Sequence, residues 1–251
     1  MKSGCISIDR ILAKLDEHLG KNDYPSAESH LLYWLAEAQR GKDLRTELLV
    51  QNELMGLYRK LGKKKQALKH VSAALGQIET HGIGAQVGAA TTQLNCATVY
   101  KAFGMAERSL PLFEQARAVY ERELESSDSR LGGLYNNMAL ALVDLGRFAD
   151  AKELYRKAIT VMESTPNGDL EVAITYLNLA SAAEAELGLE EANEQILTHL
   201  EKAEELLNAH TKRDGYYAFV CEKCASVFDY YGSFFFAKEL SERARRIYEG
   251  T

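Results

Sequence analysis

Proline is nearly absent. Pro25, Pro111 and Pro166 are the three among 251 residues, so little in the chain forbids long helices. Cysteine is as scarce. Cys5, Cys96, Cys221 and Cys224 are too few and too scattered for a disulfide framework at this length, which fits a reducing compartment. No stretch of 18 uninterrupted apolar residues occurs, so no membrane span is expected. The N-terminus meets the charged pair Asp9-Arg10 before any apolar run long enough for a signal peptide. Ser3-Gly4-Cys5 resembles the end of a lipoprotein cleavage site but lacks the apolar region that must precede one. A soluble cytoplasmic chain is therefore expected. Positive charge is not in excess either: 36 acidic residues face 30 basic ones, interspersed with no basic stripe, so nucleic acid is not an expected partner.

What is abundant is apolar residues, 46% of the chain, enough for a substantial core, and they recur with a long period. The segment from Leu134 to Ala158 reads as helix, tight turn at Gly146, helix, with a small residue near the middle of each helix. Sliding it along the chain aligns turn residues Asn22, Gly62, Gly104, Gly146, Gly188 and Gly232, at separations of 40, 42, 42, 42 and 44. Small residues follow in step. Ala27, Ala67, Ser109, Ala151, Ala192 and Ala237 open the second helices; Ala74, Ala116, Ala158, Ala203 and Ala244 come later in them; Ala97, Ala139, Ala180 and Ala225 occupy the first helices. Small side chains there let paired helices approach closely. Breaker clusters separate the units: Gly82-Ile83-Gly84, Ser126-Ser127-Asp128-Ser129, Thr165-Pro166-Asn167-Gly168 and Lys212-Arg213-Asp214-Gly215. Each is expected to end one hairpin and cap the next helix with an Asp or Ser side chain.

The pattern predicts twelve helices, near 6–20, 24–40, 44–61, 64–81, 85–103, 106–125, 129–145, 148–165, 169–187, 189–209, 214–231 and 234–250. They pair into six hairpins at about 6–40, 44–81, 85–125, 129–165, 169–209 and 214–250. One hairpin cannot bury its apolar face alone, so the six are expected to stack as a single domain over 1–251.

This pattern resembles the tetratricopeptide repeat (TPR). Leu94-Asn95-Cys96-Ala97, Asn136-Asn137-Met138-Ala139 and Leu177-Asn178-Leu179-Ala180 look like the 42-residue variety of kinesin light chains. The usual unit is 34 residues, and about eight more mean roughly one extra turn per helix. The resemblance implies an all-α, right-handed superhelical solenoid of about six antiparallel hairpins, with the first helix of each pair lining a concave wall. It implies a protein-binding scaffold, not an enzyme, with no cofactor.

Asn95, Asn137 and Asn178 each precede a packing alanine by two positions. Two residues on a helix is about 200° of rotation, so these side chains are expected to leave the packing face for an open surface. A carboxamide offers both a donor and an acceptor, which matches the paired N–H and C=O of an extended peptide, and kinesin-light-chain-like repeats use such asparagines in this way. The alternative is that each asparagine bonds to a neighbouring repeat. Asn136, Asn52, Arg59, Lys101, Glu53 and Lys223 fall on or near the same face by register and are candidates for charge selectivity. The carboxylate clamp often described for the family needs Lys and Arg where this chain has Leu94, Thr98 and Gly133, so a clamp of that kind is not expected.

Other signals carry less. Cys221-Glu-Lys-Cys224 has the spacing of half a zinc site, but no second Cys or His pair completes it, and its register assigns both thiols to helix packing. His18, His30, His70, His81, His199 and His210 have no nucleophile or carboxylate at motif spacing, so acid–base catalysis has no visible home. The aromatic residues Tyr216, Tyr217, Phe219, Phe228, Tyr230, Tyr231, Phe234, Phe235 and Phe236 are denser than a terminal hairpin needs. Core filling accounts for most of them, and any left exposed would favour the second functional reading, a homodimeric repeat module that associates through its C-terminal hairpin.

Overall fold

A computed structural model describes residues 7–250; Ser3-Gly4-Cys5 and the expected first residues of the first helix lie outside them. The chain divides into two compact units, Met1–Glu123 and Leu124–Thr251. The first holds α1 (Ile8–Gly20), α2 (Tyr24–Gly41), α3 (Leu44–Lys60), α4 (Lys64–Thr80), α5 (Val87–Ala102) and α6 (Ala106–Glu123). The second holds α7 (Ser129–Asp144), α8 (Phe148–Glu163), α9 (Asp169–Leu187), α10 (Asn193–Ala209), α11 (Gly215–Tyr230) and α12 (Phe234–Glu249).

Each odd-numbered helix packs against the next to form a hairpin, and the sequence period places the turns. Asn22, Gly62, Gly104, Gly146, Gly188 and Gly232 all have positive φ, from 54° to 85°. A left-handed residue reverses the chain after a helix, and glycine, or less readily asparagine, takes that conformation at little cost. The small residues lie where the helices touch: Ala27, Ala67, Ser109, Ala139, Ala151, Ala158, Ala180 and Ala203 are fully buried. Leu31, Leu54 and Val71 fill the core of the first unit, and Leu200, Tyr217 and Phe228 that of the second. Burying one such aliphatic side chain contributes about 1.5–3 kcal/mol.

Two expectations need correction. Side-chain capping is not general at the hairpin junctions. Asp43, Asp128 and Asp214 accept from the amides of Thr46, Arg130 and Tyr217, at 3.1, 3.0 and 3.0 Å. The caps of α5 and α9, Gln86 and Gly168, contribute no side-chain bond. The tenth helix starts at Asn193, not 189, because Gly188 has ψ 162°, which sends the chain out of helical conformation, and Ala192 becomes the cap of α10.

Candidate functional site

First helices of successive hairpins pack side by side, α3 on α5 in the first unit, and α7 on α9 and α9 on α11 in the second. The residues singled out in the sequence lie on the faces these helices share with solvent.

In the first unit α3 and α5 border a groove of about 600 Å³, with more apolar than polar wall. Leu44, Leu48 and Leu49 supply one side, Ile83 and Ala89 the other, and Arg45, Asn52, Glu53 and Asn95 are among its polar positions. It is open partly because α5 begins Val-Gly-Ala-Ala: a Cβ added at Gly88 would meet nothing within 4 Å. Asn52 spans the junction, its Nδ2 donating to Thr92 Oγ1 at 3.0 Å, while its Oδ1 is shielded from solvent without a hydrogen-bond partner. Burial, then the neighbouring Asp16 carboxylate, pushes the pKa of Glu53 up. Arg59 is exposed and Lys101 partly buried, and neither lines this groove.

In the second unit Asn136 repeats the role of Asn52. Its Oδ1 accepts from Thr175 Oγ1 at 3.3 Å and from Asn178 Nδ2 at 3.0 Å, joining α7 to α9. Asn137 donates to the carbonyl of Gly133 one turn back, at 2.8 Å. It faces a more polar hollow of about 850 Å³ shared with Arg130, Thr165, Glu171 and Tyr216. The structure thus brings Asn52 and Asn95 to one groove and joins Asn136 to Asn178. Three of the candidates, Asn52, Asn136 and Asn178, make inter-repeat bonds; Asn95 lines the open groove. Lys223 is exposed on α11.

Sequence reasoning missed several contacts of this surface. The pairings Asn52 with Thr92 and Asn136 with Thr175 sit at near-repeat spacing, 40 and 39 residues, and that coincidence was readable. The bonds from Tyr230 and Tyr231 to Glu184, both 2.7 Å, and from Tyr216 to Glu171 tie the two ends of α11 to α9. His210, partnerless at motif spacing, meets Asp169 at 2.7 Å from 41 residues away and stacks on Tyr217. Cys96, Cys221 and Cys224 are buried at helix-packing positions. Burial pushes their thiols up to about 12, about 11 and about 12, away from the thiolate that a nucleophile or metal ligand requires.

The C-terminal aromatics divide. Tyr217, Phe228 and Phe236 are buried, whereas Tyr230, Phe234 and Phe235 are 66%, 63% and 94% exposed. Among the described residues no helix is long and apolar enough to cross a membrane.

These hairpins, their small-residue contacts and left-handed turns define an all-α repeat protein of the TPR-like solenoid class. Residues 130–208 match the tetratricopeptide repeat family. Among solved structures, the chain is similar to BtubC (BKLC) from P. vanneervenii, with a TM-score of 0.67 and 19% identity over 82% of each chain. It is also similar to a putative kinesin light chain with nearly identical TPR-like repeats from Podosopora anserina, at a TM-score of 0.55 and 19% identity, covering 81% of this chain and 95% of that one. No curated protein matches the sequence. The matched repeats over residues 130–208 are of a family whose members generally mediate protein–protein interaction and are generally not enzymes.

Proposed function

We propose that this chain is a cytoplasmic scaffold or adaptor that holds a peptide or partner-protein segment on the face formed by its first helices. The observation that carries this reading is the α3–α5 groove, which combines an apolar wall with the partly buried carboxamide of Asn95 on its lining. A partner contributes apolar side chains to the floor and main-chain groups to the asparagine. On the first helices of the second unit, Asn137 and Asn178 each spend one donor within the fold and offer a partner their remaining carboxamide groups. Neither nucleic acid nor a membrane is the partner on this reading, because acidic residues outnumber basic ones.

The test is a pull-down from native lysate with the wild-type chain and an Asn95, Asn137, Asn178 to Ala triple variant, matched for helicity. Asn136→Ala serves as a control that breaks the same junction bond as Asn178→Ala while keeping Asn95, Asn137 and Asn178. A partner captured by the wild type and the control and lost by the triple variant supports the groove. Equal capture by all three sinks it.

The exposure of Tyr230, Phe234 and Phe235 favours a second reading, in which two copies associate through the C-terminal hairpin. Sedimentation equilibrium decides it. A dimer that dissociates in a Phe234→Ser, Phe235→Ser variant supports self-association, and a wild-type monomer at every concentration removes it.

A further inference from the structure

The α3–α5 groove is not electrically uniform. Arg45 stands at the end where α3 begins, and Glu53 lies eight residues further along the same helix, about 12 Å at 1.5 Å per residue. Between them the wall is Leu48 and Leu49, with Ile83 and Ala89 opposite.

Each end calls for a particular charge. At the Arg45 end α5 also starts, capped by Gln86 with no side-chain hydrogen bond to its first-turn amides, and with exposed Gly88 leaving the backbone approachable. Unsatisfied amides and the positive end of a helix dipole favour an anion there, beside a guanidinium that favours one too. At the other end Glu53 is half-buried, and the charge that raises its pKa further after burial is another carboxylate, Asp16. Among the described residues no cation pairs with Glu53. A carboxylate held out of water beside a like charge is costly, and a cation brought by a ligand removes that cost.

We propose that the groove binds an extended stretch of a partner protein in which two or three apolar residues lie between an acidic residue, seated at Arg45, and a basic residue, seated at Glu53. An extended chain advances about 3.3 Å per residue, so the two charges are about four positions apart. Asn95 meets the main chain between them. The inference rests on the groove reading above and adds to it the chemistry of the ligand.

Three fluorescein-labelled peptides with Gly-Ser flanks test it by anisotropy. Their cores are Glu-Leu-Ile-Leu-Lys, Glu-Leu-Ile-Leu-Glu and Lys-Leu-Ile-Leu-Lys, and they are titrated with the full chain, with Arg45→Glu, with Glu53→Lys and with Leu49→Gln, each matched for helicity. The wild type is expected to prefer the mixed-charge core over both others by roughly fivefold to tenfold, the range of partly exposed ion pairs. Glu53→Lys should transfer the preference to the all-acidic core, and Arg45→Glu to the all-basic core. A structural role for either residue weakens all three peptides alike and moves no preference.

If peptides bind, and Leu49→Gln abolishes binding, but the preference ignores the charge swaps, the charge assignment is overturned and the groove reading stands. If binding is indifferent to Leu49→Gln, the peptides sit elsewhere and both fall. If no peptide binds the wild type, this ligand pattern is overturned, and the pull-down with the triple asparagine variant still decides the groove.

Discussion

The asparagines of the second unit can be sorted into structural and binding roles by a double-mutant cycle on Asn136 and Asn178. Asn136 Oδ1 receives two donors, Asn178 Nδ2 at 3.0 Å and Thr175 Oγ1 at 3.3 Å. Both bonds are partly buried, and a bond of this kind is worth about 1 kcal/mol net. Thr175 keeps a second acceptor, the Glu171 carbonyl at 2.8 Å, so losing Asn136 leaves its hydroxyl satisfied. Asn178→Ala is therefore expected to cost about 1 kcal/mol and Asn136→Ala about 1–2 kcal/mol. The two changes remove one shared bond, so the double variant should cost less than the sum, with a coupling of about 1 kcal/mol. Urea unfolding followed by far-UV circular dichroism measures all four corners, and a loss of about 1 kcal/mol lowers the melting temperature by roughly 2–4 °C in a chain this long. Additivity within about 0.3 kcal/mol would refute the reasoning, showing that the bond between repeats contributes nothing and that the carboxamides are free to serve a ligand.

Four further outcomes are expected. Burial and then Asp16 hold the pKa of Glu53 above its ordinary value; a raised carboxyl favours the folded state below the unfolded pKa of about 4.5 and loses that advantage as pH rises through the folded value. Glu53→Gln should accordingly be more stable than wild type at pH 7, the gap closing below about pH 4, and a gap that widens on acidification contradicts this. For His70, burial and then Lys69 push the pKa down, so stability is full above about pH 6.5 and falls as pH drops through the folded value; His70→Gln should flatten that fall in thermal melts between pH 7.5 and 5. In native protein the buried Cys96, Cys221 and Cys224 should react with Ellman's reagent only as fast as the chain opens, and immediate labelling of all three would contradict their burial. Gly168→Ala places a Cβ 2.0 Å from the Met162 carbonyl oxygen and 2.3 Å from Thr165 Oγ1; backbone must move, at a cost of roughly 2–4 kcal/mol, and an unchanged urea midpoint would contradict that.

The hairpins were legible because each depends on neighbours in sequence. A left-handed residue at every turn and a small residue at every close approach are requirements of one or two positions, and Gly146, Ala139 and Ala151 announce them without help from the rest of the fold. Where a cap depended on the choice among several polar residues, the reading was weaker: Asp128 and Asp214 cap helices, whereas Gly168 leaves α9 without a side-chain cap. The asparagine register placed Asn95, Asn137 and Asn178 on first helices, and their surroundings there differ. Asn95 and Asn137 share a position relative to the packing alanine, yet Asn95 lines the α3–α5 groove and Asn137 bonds to its own helix.

The period, the turns and the small-residue contacts were thus determined by sequence alone, since backbone sterics and helix geometry act over a few residues whatever surrounds them. Only the tertiary structure decided which carboxamides are engaged, that Arg45 and Glu53 close the two ends of one apolar groove, and that Tyr217 is buried while Phe235 is not. The first two depend on residues about 40 positions apart meeting across a repeat junction, and Tyr217 is held by Leu207, His210 and Arg243 from neighbouring segments. There the side chain supplied by the neighbouring helix, not the residue's own register, fixes burial and hydrogen bonding.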